Sequence, residues 1–129
     1  MIRLVTGLFL IAHGLVHLLY LAPRPETDPN YPFVPEERWL ARAIGLQPST
    51  AKAIAGALAV ACAIAFVIAG ISLPASAEVW EPAAVVASLI SLVLMLLFFH
   101  PWLMLGIAID VAIIGSVLSW HIPASIFED

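Results

Sequence analysis

Apolar residues in this chain gather into four long runs separated by short polar breaks, and each run is as long as a bilayer-crossing helix. The first covers residues 2–22, about 21 residues and roughly 31 Å of helix, enough to cross the hydrocarbon core. The second covers 51–73, the third 82–99 and the fourth 102–120. Residues 23–35, PRPETDPNYPFVP, carry five prolines and predict an irregular, extended loop. Residues 36–46, EERWLARAIGL, place Trp39, Leu40, Ala43 and Ile44 on one helical face, with Glu36, Glu37, Arg38 and Arg42 largely on the other. That pattern predicts a short amphipathic helix at the lipid headgroups, with Trp39 as its interfacial anchor. Ser49 or Thr50 is the expected N-cap of the second span.

The second span is small in side chain: Gly56, Ala63 and Gly70 recur every seven residues, with Ala59 on a nearby face. Small residues let membrane helices approach closely, so this stripe predicts a packing face. Ala84, Ser88 and Ser91, leading to Met95, predict another on the third span. Pro82 suits a first helical turn. His100, Pro101 and Trp102 are the whole connection between the last two spans, which makes those helices adjacent and antiparallel. The expected fold is therefore all-α: one domain over residues 1–129, an up-down four-helix transmembrane bundle with an interfacial helix after its first loop.

Composition agrees with that solvent. The chain of 129 residues is 63% hydrophobic and 11% charged, whereas soluble domains carry about 25% charged residues. Its mean hydropathy is +1.07. A water-soluble domain of this size buries too little of its surface to hide so much apolar matter. The net charge is −4 with no basic run, which excludes a nucleic-acid partner needing clustered Lys and Arg. The one cysteine, Cys62, excludes an intrachain disulfide and any CxxC motif, and in its Ala-rich surroundings it reads as a small hydrophobe. The first run is read as a retained helix and not a secretory signal: two histidines interrupt it, and Pro23 follows the one plausible cleavage site at Ala22. Arg24, Arg38, Arg42 and Lys52 flank the first loop while Arg3 lies on the opposite side. The positive-inside rule then puts the loop in the cytoplasm and both termini outside. The expected location is a prokaryotic cytoplasmic membrane, with the lipid bilayer as first partner and a membrane redox protein or a second copy of the chain as further ones.

Asp110 is the residue that most demands an explanation, because it sits near the centre of the fourth span in LGIAIDVAII. A central aspartate costs about 2.5–3.5 kcal/mol on insertion, which the aliphatic residues around it offset at roughly 0.3–0.6 each. Its carboxyl group must still find a partner, stay protonated or face water, so it should point into the bundle. Thr6, His13, His17 and Tyr20 follow one another at helical spacing and form one stripe on the first span. His13 lies about 13 Å along its helix from the loop end, and Asp110 about 12 Å from the Trp102 end of its own. Antiparallel alternation puts those ends on one side of the membrane, so the two residues share a level, with His17 one turn nearer the surface and His100 at the rim. First and last helices of an up-down bundle are neighbours.

Several chemistries suit such a cluster. Asp110 and a histidine can simply satisfy each other and fix helix register, with the serines completing the network, in a structural or assembly protein. Alternatively, Asp110, His13, His17 and Tyr20 form a ligand or proton site: a carboxyl–imidazole pair can hold one shared proton and exchange it with a quinone. A metal ion is a third option, with His13 and His17 at i and i+4 and Asp110 or His100 as a further ligand. Haem is not expected, since the second to fourth spans offer no opposing histidine at that depth; His121 lies near the other surface. Proton conduction would need several subunits. Nothing in the residues decides whether the chain is an enzyme.

The opening segment RLVTGLFLIAHGLVHLLY, through Arg3, Gly7, Phe9, His13 and Gly14, resembles the first helix of the DoxX-like small membrane proteins. Many of these place a lysine after the glycine pair where this chain has His17. The resemblance implies a four-helix plan and an accessory role in quinone-linked redox complexes, such as thiosulfate:quinone oxidoreductase subunits.

Overall fold

The structure, a computed structural model, describes residues 1–119. The end of the fourth predicted span at Trp120, and the tail with His121, lie outside the described residues. Five α-helices follow one another: α1 (Ile2–Val16), α2 (Trp39–Ile44), α3 (Pro48–Ser72), α4 (Trp80–Leu97) and α5 (Met104–Ser119). Helix α1 continues as a 3-10 turn over His17–Leu21, and α5 is preceded by another over Pro101–Leu103. With those turns included, four segments are long and apolar enough to cross a membrane: Ile2–Leu21, Pro48–Ser72, Trp80–Leu97 and Pro101–Ser119. No strand occurs among the described residues. The fold is all-helical and fits an integral membrane protein.

Glycine and alanine decide how the spans pack. Helix α3 is the centre, packed on one side by α1 and on the other by α4, with α5 against α4. Gly56, Ala59, Ala63 and Gly70 of α3 are all buried. Gly7 of α1 and Gly70 face each other so closely that a Cβ on either would overlap the other's carbonyl oxygen. A Cβ on Gly14 would overlap the Phe66 side chain. On α4, Ala84, Ala87, Ser88 and Ser91 are buried. Helix α5 is different: of its described residues only Asp110 and Val117 are buried.

Helices α1 and α5 are neighbours, as an up-down plan expects, but they meet through side chains; the close helix pairs are α1–α3, α3–α4 and α4–α5. The cause is side-chain size. Helix α5 carries Ile107, Ile109, Ile113 and Ile114 with glycine at 106 and 115, so it offers α1 no stripe like the one on α3. The seam is bridged by side chains and flanked by cavities.

The segment after the first span also differs in detail. The predicted helix over 36–46 is split: Pro35–Glu37 forms a 3-10 turn, Arg38 is extended, and α2 runs only from Trp39 to Ile44. It ends at Gly45, whose φ of 64° supplies the left-handed conformation that glycine adopts without a Cβ clash. The Trp39 indole N–H donates to the Leu96 carbonyl at 2.7 Å and ties α2 to the end of α4. Neither Ser49 nor Thr50 caps α3. Pro48 takes the first helical turn instead, and Gln47 stands at the N-cap without a side-chain hydrogen bond. The proline-rich loop is held by Arg24, which reaches the carbonyls of Asp28 and Pro29 and forms an ion pair with Glu37 at 2.9 Å.

Candidate functional site

Side chains from all four spans meet around Asp110. The residue is fully buried, and its Oδ1 lies 2.9 Å from Nε2 of His13, whose side chain is itself only 7% exposed. Both groups sit where their helix depths place them. One turn along α1, His17 points the same way. Its Nδ1 is 2.9 Å from the His13 carbonyl and 3.3 Å from that of Gly14, and both are acceptors only. Nδ1 must therefore carry the hydrogen. In the neutral ring Nε2 then presents a lone pair, which accepts from the Ser91 hydroxyl at 2.7 Å. The same contacts explain the local backbone. The His17 ring takes the His13 carbonyl that an α-helix offers to the backbone N–H four residues on, and the chain tightens there, with the N–H turned to Gly14.

Phe66 of α3 locks the two imidazoles. Its ring meets His13 edge-on at 5.0 Å between centroids and lies nearly parallel to His17 at 6.3 Å. Phe9 stacks on the outer face of His13 at 6.0 Å. Glycine at 14 is what lets Phe66 come this close. Among the described residues, Oδ2 of Asp110, Oγ of Ser88 and the Tyr20 hydroxyl are buried here without hydrogen-bond partners. Cys62 adjoins the same cluster, within electrostatic reach of Asp110, and its thiol points to the Ala87 carbonyl at 3.7 Å.

The seam between α1 and α5 leaves space beside this cluster. A cavity of about 240 Å³ is lined by His13, His17, Tyr20, Phe33, Met95 and Trp102, among others. Across the His13–Asp110 bridge, a second cavity of about 290 Å³ has Thr6, Phe9, Ile109 and Ile113 in its walls. Both are mostly apolar. The first is somewhat smaller than the roughly 300 Å³ at which pockets for drug-sized ligands begin, so it suits a single ring.

The residues singled out in the sequence have separate fates. Asp110, His13 and His17 come together, each offering one ligand atom within 4.8 Å of the others. Tyr20 is buried in the wall of the cavity, but its hydroxyl bonds to none of them. His100 is not part of the cluster, which corrects its inclusion as a metal ligand. Its Nδ1 accepts the Trp102 backbone N–H at 3.1 Å and caps the turn into α5. Ser91 is one of the serines expected to complete the network, whereas Phe66 has no counterpart in the sequence reading. The depth argument that pairs His13 with Asp110 extends to Ser91, which lies about as far from the loop-side end of α4 as His17 does from the end of its own segment.

The capping role of His100 makes stability depend on pH. Burial lowers its imidazole below the ordinary value, the Arg38 charge adds to this, and Asp28 opposes it. The folded state thus favours the neutral ring, while the unfolded chain takes up the proton first. The contribution is complete above about pH 6.5, the ordinary histidine value, and is lost as pH falls below it. Replacing His100 with asparagine keeps a capping oxygen that does not titrate there. Thermal melts in detergent from pH 7.5 to 5 should therefore be flatter for His100→Asn than for the wild type.

Known families, characterised proteins and solved structures give no match to this chain. The fold and the site define a class: a small, all-helical chain with four membrane-length spans and a buried His–His–Asp cluster beside a cavity between the first and last spans.

Proposed function

We propose that this chain is an accessory subunit of a membrane redox system, binding a quinone-type headgroup in the cavity between α1 and α5. The observation that carries the reading is the His13–Asp110 bridge at the edge of an apolar cavity of single-ring size. A headgroup that dissolves in the bilayer reaches the cavity sideways, with its tail left in lipid. Nδ1 of His13 has no hydrogen-bond partner among the described residues, and the ring lines the cavity, so in the ion-pair form of the bridge its N–H is available to a quinone oxygen. Trp102 lines the same cavity and supplies a fluorescent reporter. Electrons would come from the partner subunit. The likeness of the first helix to DoxX-like proteins supports the same role, as does the prevalence of function among ionisable groups inside membranes.

Binding is tested by the quenching of tryptophan fluorescence with a short-tailed benzoquinone. Val16 lines the cavity and its side chain takes no part in the cluster's hydrogen bonds, so Val16→Phe fills space and leaves those bonds intact. Saturable quenching that weakens at least tenfold in Val16→Phe, but not in Val5→Phe, is the expected result. Quenching that never saturates, or that ignores Val16→Phe, returns the cluster to a purely structural role in helix packing.

A further inference from the structure

We infer that His13, His17 and Asp110 form a binding site for one divalent transition-metal ion of the zinc or iron class, beside the α1/α5 cavity. The site rests on the proposed function only for its last ligand, an oxygen of the bound headgroup, and otherwise stands on the protein's own atoms.

Geometry is the first support. Ligands on one ion with bonds of about 2.1 Å are ~3.0 Å apart at right angles and ~3.4 Å apart in a tetrahedron. Nε2 of His13 and Oδ1 of Asp110 are already 2.9 Å apart. The three ligand atoms lie within 4.8 Å of one another, so the widest gap closes by a movement of at most about 1.4–1.8 Å on this scale. The ion takes the place of the proton shared by His13 and Asp110, and His17 gives up its bond to Ser91 while its Nδ1–H stays on the His13 and Gly14 carbonyls. A ring nitrogen anchored to backbone carbonyl while the other faces the cluster is the arrangement of a ligating histidine.

Charge is the second. Oδ2 of Asp110 is buried without a hydrogen-bond partner, and in this setting a bare carboxylate oxygen is costly. A cation bound at the cluster supplies the missing interaction. Two imidazoles and one carboxylate are also the donor set of sites that keep a coordination position open, as in zinc hydrolases and non-haem iron centres. The apolar rings of Phe9 and Phe66 flank the imidazoles, so water competes weakly for the ion.

The full-length chain, purified in detergent without a histidine tag and stripped with chelator, tests this. Titration with Co²⁺, followed by its visible absorption, and with Zn²⁺, followed by calorimetry, should give one ion per chain. Asp110→Asn and His13→Gln should each weaken binding at least tenfold. Ser91→Ala removes the hydroxyl that competes for Nε2 of His17 and should bind as tightly as the wild type or more so, which an adventitious surface site has no reason to do. Should Asp110→Asn fail to fold, His17→Gln replaces it in the comparison, again with a tenfold loss. No saturable binding to the wild type, or affinity unchanged in these cluster variants, overturns the inference. Quinone quenching measured on the metal-free protein separates the two readings: quenching without metal binding removes the ion alone, and metal binding without quenching removes the quinone alone.

Discussion

Gly70→Leu should unfold the bundle under conditions where Gly115→Leu leaves it intact. A Cβ at Gly70 runs into the carbonyl oxygen of Gly7 and the side chain of Ile11. Backbone cannot swing aside as a side chain can, so α1 must move away from α3 as a body. Overpacking of this kind costs about 1–3 kcal/mol, and occasionally more. Leucine at this backbone contact belongs at the upper end or above it. The loss spreads, because α1 positions both histidines and its partner contacts are chiefly with α3. Gly115 on α5 has nothing within 4 Å of an added Cβ, and a leucine there only adds apolar surface on a helix already exposed. Thermal melts of both variants in the same detergent decide the matter. Equal melting temperatures for the two would mean that the Gly7–Gly70 contact does not hold the bundle together.

That contrast explains how much of the fold could be read from the chain. Span lengths follow from hydropathy, because a bilayer demands about 20 apolar residues and little else. The stripe Gly56, Ala63, Gly70 marks a packing face without saying which helix fills it, and α5 shows the consequence. Its aliphatic residues satisfy lipid and protein alike, so no pattern warned that the α1/α5 seam would stay open. The site was legible through depth: His13 and Asp110 can be levelled by counting residues from a shared surface, and they meet at 2.9 Å. Serines were expected to complete the network, but that Ser91 and not Ser88 reaches His17 depends on helix rotation, which hydropathy does not fix. The tautomer of His17 was out of reach altogether. It depends on two backbone carbonyls that become available only where α1 tightens into its 3-10 turn.

Asp110→Asn is the change expected to separate chemistry from architecture. Asparagine has the same shape, and its Oδ1 can still accept the N–H of His13 Nε2, so the bridge between α1 and α5 survives. Polar pairs between membrane helices are worth about 0.6 kcal/mol on average and at most about 1.7. The aspartate it replaces carries an insertion cost of about 2.5–3.5 kcal/mol. Melting should therefore shift by only a few degrees, in either direction. Ligand affinity should respond far more. A neutral imidazole that gives its one N–H to the amide has a bare Nδ1, so it cannot donate to a quinone oxygen as the imidazolium of the ion pair can. Hydrogen bonds to charged groups are worth about 1.5–3 kcal/mol, which corresponds to at least a tenfold loss in affinity. Quinone quenching and melting measured on the same preparation read both quantities. A large fall in melting temperature with unchanged quenching would assign Asp110 to helix register alone. Asp110→Ala supplies the scale for that comparison, since it leaves the imidazole of His13 without its acceptor and a void where a fully buried side chain stood, and it should lose stability and binding together.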